Sequence, residues 1–285
     1  MEKRKLGKTG QSSTVLTLGG VALGWVEQKE ADAAIELVFE HGVNHVDISP
    51  SYGQAEARLG SWIGRHHRNF FLACKTTARG KARVWESLKR SLETLKVDYF
   101  DLFQFHAVDD LETLNVVLGS GGGLEAVLEA RQQRLVKNIG ITGHRPFVHV
   151  EALNRFPFDT VLFPLNRVHA AHLGDWNDYT ILLEMVKQKE VGTIAIKAVA
   201  KQPWQRTSHP YRTWYEPFDE QVEIDRSLWY TLSQGVTTAA MPGDLRLWPR
   251  VLDAAERFTA MAAKKQEEAV AEVQRYRPLP SPFNV

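Results

Sequence analysis

Hydrophobic positions along the chain follow two rhythms. Short β-branched or aromatic runs recur as TVLTLGG from Thr14, VNHVDIS from Val43, NFFLACK from Asn69 and YFDLFQFH from Tyr99. VKNIGIT from Val136, TVLFPLN from Thr160, VGTIAIK from Val191 and VTTAAMP from Val236 continue the series. Brief apolar runs of this kind read as buried strands. Between them, apolar residues return at helical spacing. Val84, Leu88, Leu92 and Leu95 make one stripe, with Glu86, Lys89, Arg90 and Glu93 off it, which predicts an amphipathic helix. Ala33, Ala34, Leu37 and Val38 predict another, stopped by Gly42. Strands that alternate with helices belong to a parallel sheet, because parallel neighbours need crossover connections. Eight such units of roughly thirty residues fit a closed (β/α)8 TIM barrel, with an open doubly wound sheet as the alternative.

No stretch reads as an interdomain linker, so residues 1–285 are taken as a single barrel domain. The glycine run Gly119 to Gly123 precedes a helical pattern at once and reads as a flexible helix start. The segment after Lys201 is longer than an ordinary βα loop and rich in aromatics, as functional loops often are. The tail from Arg277 is proline-rich and reads as extended.

Composition adds limits. The chain carries 24% charged residues and a formal net charge of +1, with no basic run, so nothing argues for nucleic acid or an anionic membrane as partner. A small molecule is the expected partner. One cysteine cannot form an internal disulfide, the start MEKRKLGKTG has no signal-peptide core and no apolar run spans a bilayer. A cytoplasmic location is the expectation. Oligomeric state is not legible.

The chemistry sits at strand ends. In a barrel, reacting side chains gather at the carboxyl ends of the strands. The second run ends at Asp47 and leads to Tyr52, the third ends at Lys75 and the fourth at His106. Each alone has a structural explanation; together they share one corner of the mouth. A tyrosine hydroxyl is a slow proton donor at neutral pH unless a cation stabilises its phenolate. Lys75 can supply that cation, Asp47 can keep Lys75 charged, and His106 can position a substrate oxygen. No zinc-like spacing accompanies the pair His66–His67, which is read as surface, and no metal is expected.

The set DxxxxY, ACKT and QFH, with RKLGKTG and TLGG near the start, resembles the aldo-keto reductase superfamily, especially its bacterial members. The similarity runs from about Lys5 to Phe258. It implies a barrel with a short N-terminal β-hairpin, NADP(H) as cofactor with NAD(H) left open, and reduction of an aldehyde or ketone. By that resemblance Tyr52 is the general acid, Lys75 lowers its pKa, Asp47 pairs with Lys75 and His106 orients the carbonyl. The implied cofactor residues are Gly20, Val21, Thr142, Gly143, His144, Lys197, Gly243, Arg246, Arg250 and Asp253. Thr142 and Gly143 replace the family's Ser and Asn, so His144 would take part in holding the nicotinamide amide. Leu162 stands for the usual Gln. Arg250 and Asp253 match the clamp for the 2′-phosphate, whereas its usual lysine is absent and Asp244 lies nearby. Trp25, Trp204, Trp214 and Tyr215 are candidates for a substrate pocket. Two other functions compete with the reductase: a cofactor-binding sensor with little turnover, and a lyase forming a Schiff base at Lys75.

Overall fold

A computed structural model describes residues 1–66, 69–205 and 207–280, without the side chains of residues 64–66. The pair His66–His67 therefore lies outside the described side chains. All eight predicted runs are strands: β1 (Leu16–Gly19), β2 (His45–Asp47), β3 (Phe71–Thr76), β4 (Phe100–Phe105), β5 (Val136–Thr142), β6 (Thr160–Pro164), β7 (Gly192–Ile196) and β8 (Thr238–Ala240). They pair in parallel in chain order, and β8 closes onto β1, giving a closed barrel. The open-sheet alternative is thereby excluded.

Helices pack outside the barrel by their apolar stripes. Val84, Leu88, Leu92 and Leu95 are buried on the helix Lys81–Leu95, as their spacing requires. On the helix Gln28–Glu40 Val38 is buried and Ala34 and Leu37 pack partly buried against the core as expected, but Ala33 is exposed and Ala31 and Ile35 complete the buried face. The buried stripe runs at i, i+4 and i+7 through Ala31, Ile35 and Val38, which puts Ala33 on the opposite side. Gly42, at φ +74°, ends that turn in the left-handed region. Gly122 and Gly123 begin the helix Gly123–Gln132, so the glycine run is a helix start.

Inside the barrel, alternate residues meet in layers. Phe71, Ala73, Leu102, Leu162 and Ile194 form the lower layer, and Leu6 plugs it from below. The strands flanking Leu6, Lys3–Lys5 and Ser12–Thr14, pair as the antiparallel N-terminal hairpin. An apolar, filled floor leaves the opposite, carboxyl end of the barrel for chemistry. Side chains on one strand alternate between faces, so Cys74 points out where Lys75 points in. Cys74 is fully buried against Glu56 of the helix Ala55–His66, and burial first, then Glu56, drives its thiol pKa upward. It is an inert core residue. Among the described residues, no helix is long and apolar enough to cross a membrane.

Candidate active site

A cavity of about 600 Å3 opens at the carboxyl ends of the strands. Asp47, Tyr52 and His106 line it. Lys75 lies just behind, buried and ion-paired to Asp47. Register explains the convergence. Lys75 is the cross-strand partner of Gln104, so both point inward at one level, and Asp47 follows the same inward parity on β2. Gln104 Nε2 donates to Asp47 Oδ1 at 2.8 Å. The carboxylate thus has a charged donor on one oxygen and an amide on the other, which offsets much of its desolvation. Sequence reasoning quoted Gln104 only as part of a motif; its inward parity with Lys75 was the signal for its role.

Tyr52 stands on the turn after β2, held by its amide donating to Ser49 O at 3.1 Å. The Lys75 ammonium lies 5.1 Å from the centre of the Tyr52 ring, and the His106 ring meets it edge-on at 5.8 Å. Burial pushes the Tyr52 hydroxyl above its ordinary value, and the Asp47 charge adds to that; Lys75 pulls the other way and is outweighed. Lys75 thus acts on Tyr52 in the expected direction, but burial sets the net shift, and Asp47, which holds Lys75 charged, adds to it. Tyr52 stays protonated at neutral pH, as a proton donor must. Burial works against the charge on Lys75, but Asp47 and then Tyr52 more than compensate and hold its pKa above the ordinary lysine value. A charged lysine that does not reach the cavity surface is a poor Schiff-base nucleophile. His106 is pulled down to about 3, by burial first and then by Lys75 and His144, and is neutral at pH 7. Its Nδ1 faces Ser49 Oγ at 3.4 Å, and Ser49 Oγ lies 2.8 Å from Ser51 Oγ.

The opposite wall holds a second polar group. Asp109, buried after β4, accepts from the backbone N–H of His144 and lies 3.1 Å from its ring Nδ1. Burial raises the Asp109 pKa, yet the His144 bonds outweigh it and keep Asp109 ionised. Burial also lowers the pKa of His144, with Lys197 adding to that and Asp109 opposing. A neutral ring that donates from Nδ1 to a carboxylate presents Nε2 as an acceptor. Glycine at 143 follows from this pair. A Cβ there would lie 2.6 Å from Val108 O, 2.8 Å from Asp109 Oδ1 and 3.0 Å from His149 Nε2. No side chain fits where the family carries Asn. Thr142 Oγ1 accepts from Ala107 N at 3.0 Å, so its own proton is available elsewhere.

Of the remaining expected residues, Gly20, Val21, Lys197, Gly243, Trp25, Trp214 and Tyr215 line the cavity with Thr142, Gly143 and His144. Four do not. Trp204 donates from its indole N–H to Thr213 O at 2.7 Å and stacks on His209, so it braces the long loop instead of lining the pocket. Arg246 grips Asp244, with Nε 2.9 Å from Oδ1 and Nη2 2.5 Å from Oδ2. Asp253 is exposed and paired to Arg257 at 2.5 Å. Arg250 is exposed on the helix Trp248–Glu256, with no carboxylate within 4 Å among the described residues. Sequence reasoning missed Asp109 and Arg212. Arg212 lines the cavity and ties the long loop across the mouth, through its side chain to Trp25 O and its amide to Asp244 Oδ2. No local pattern marks such a tie, since it joins segments far apart in sequence.

The sequence profile of the Aldo/keto reductase family matches residues 15–276. The chain belongs to this family. An uncharacterized oxidoreductase of Bacillus subtilis, YqkF, is 26% identical over 70% of this chain, and L-galactose dehydrogenase of Arabidopsis thaliana is 29% identical over the same share. The match spans 66% of each relative's length, just under two thirds. An aldo-keto reductase of Bacillus halodurans, solved in its holo form, superposes with a TM-score of 0.74 at 20% identity and covers 96% of both chains. The barrel described above is therefore the fold of this family, whose members are nicotinamide-dependent oxidoreductases.

Proposed function

We propose that residues 1–285 form one catalytic unit that reduces an aldehyde or ketone to an alcohol with NADPH. The observation that carries this reading is the buried Asp47–Lys75 pair beneath Tyr52, with His106 on the same wall.

The cavity suits a nicotinamide. A carboxamide needs one donor and one acceptor, and the Thr142 hydroxyl and His144 Nε2 offer them side by side. The Asp109–His144 pair thus stands in for the family's Asn. At the adenosine end the fit rests on Arg250, because Arg246 neutralises Asp244. That neutralisation removes the repulsion that a carboxylate would exert on a 2′-phosphate and favours NADPH over NADH. A bound nicotinamide supplies the hydride.

This chain's residues supply the rest. The Tyr52 hydroxyl gives its proton to the carbonyl oxygen as negative charge develops there. Lys75 stabilises the phenolate left behind, and Asp47 with Gln104 fixes Lys75 in place. His106 remains neutral; with Nδ1 accepting from the Ser49 hydroxyl, which lies against Ser51 Oγ, its Nε2–H is the donor that orients the carbonyl. Tyr215 and Trp214 cover the reacting centre from the long loop and limit water.

The test is to titrate the protein with NADPH and NADH, then follow NADPH oxidation against a panel of aldehydes, ketones and quinones. Tight NADPH binding with turnover supports the reading. Tight binding without turnover on any substrate would favour a sensor, and no binding of either nucleotide would defeat both.

A further inference from the structure

One cation in the cavity has no carboxylate partner among the described residues. Lys197 follows β7 with φ at +64°, a left-handed backbone that costs a lysine roughly 1 kcal/mol or more. That geometry turns its side chain into the mouth, where Nζ sits over the Trp214 ring at 4.3 Å. No carboxylate lies within 4 Å of it among the described residues. The groups that face it are Asp109 after β4, His144 after β5 and His169 on the short helix Arg167–Ala171, with Arg212 on the same cavity wall. Both histidines are shifted toward the neutral form, and Asp109 is already bonded to His144. The ordinary reason to hold a lysine in such a place, an ion pair, is therefore missing among the described residues. An apolar side chain in a relaxed backbone would be more stable.

We propose that Lys197, on the Trp214 face, is the binding site for a carboxylate carried by the carbonyl substrate, so that the substrates are oxo acids. This rests on the reductase reading above and names its substrate class. A single negative charge fits better than a phosphate dianion. Among the described residues Lys197 is the one charged cavity side chain without a polar partner, since Arg212 is tied to Trp25 O, and ionised Asp109 stands behind. Trp25 and Trp214, 59% and 58% exposed, flank the opening and give a planar acid two aromatic surfaces.

Burial brings the Lys197 pKa down to about 7. A bound carboxylate would restore to it what Asp47 gives Lys75, and would draw in a proton on binding.

The probes are 4-carboxybenzaldehyde and its methyl ester, which differ in charge at one end. Binding is followed by tryptophan fluorescence, and proton uptake by calorimetry in buffers of different ionisation enthalpy. Wild type should bind the acid at least about tenfold more tightly than the ester below pH 7, as a charged hydrogen bond implies. Above pH 7 acid binding should take up a proton. Lys197→Met should collapse the acid-to-ester ratio to about one and abolish the uptake. Lys197→Arg should keep the ratio, free of the pH dependence, because arginine does not titrate there. A ratio unchanged in Lys197→Met would overturn the proposal, as would a ratio unchanged with NADPH affinity reduced. Lys197-dependent acid binding without reduction of either aldehyde would uphold the subsite and count against the reductase. Reduction of the ester with no preference for the acid would do the reverse.

Discussion

Two lysines serve the same cavity and answer to opposite rules. Lys75 is fully buried, and Asp47 and Tyr52 raise its pKa; Lys197 is only half-buried, and its pKa falls to about 7. Depth does not separate them, since the deeper one is the more strongly charged. The partner does. Asp47, itself held by Gln104, gives Lys75 a carboxylate in contact, whereas Asp109 reaches Lys197 only at a distance and is bonded to His144. One lysine is held as a cation by a carboxylate in contact, whereas the other, with none in reach among the described residues, gives up its proton near pH 7.

The sharpest way to break this comparison is at the proton donor. Tyr52→Phe should lower carbonyl reduction by about 10²- to 10⁴-fold with NADPH affinity nearly kept, as steady-state kinetics and nucleotide titration will read. Lys75→Met should be comparably harmful. It should also move the alkaline limb of the pH profile upward, because nothing would then oppose the effect of burial on Tyr52. Full activity in either variant would remove the basis for the assignment.

Asp47→Asn leaves the Lys75 ammonium buried without its counter-charge. We expect a stability loss of about 3 to 5 kcal/mol in urea unfolding, with activity lost beyond what unfolding explains. A loss within the range of an ordinary surface substitution would mean that Lys75 does not need its partner.

Arg250→Ala should weaken NADPH by about 1.5 kcal/mol and leave NADH nearly unchanged, since one charged contact to an exposed phosphate is removed. Equal losses for the two nucleotides, measured by fluorescence quenching, would show that Arg250 does not read the phosphate.

The smallest effect has the opposite sign. Unfolded Lys197 holds its proton to about pH 10.5, but the folded protein releases it near pH 7. Between those values the unfolded chain binds more protons, so this lysine makes stability rise with pH across that window. Below pH 7 the buried charge costs its full amount. Lys197→Met should therefore raise Tm most at pH 6 and least at pH 10. A gain that does not vary with pH would mean that Lys197 is not shifted in the folded protein.

The sequence by itself determined the barrel and the placing of the proposed catalytic residues at its carboxyl end. Eight apolar runs separated by helical stripes admit few arrangements, and period-two alternation along β3 and β4 aims Lys75 and Gln104 inward regardless of what surrounds them. Because those effects are local, they survive in the order of residues. Tertiary structure alone decided the sign of the Tyr52 shift, which depends on how burial, Lys75 and Asp47 balance at one point in space. It alone joined Asp109 to His144 across two loops and left no room for a side chain at Gly143. It also removed Arg246 from the list of available cations by pairing it with Asp244, and turned Trp204 to brace the loop from which Trp214 and Tyr215 line the cavity. Charge interactions and close contacts depend on distances between segments that are remote in the chain, and residue order does not encode those distances one position at a time.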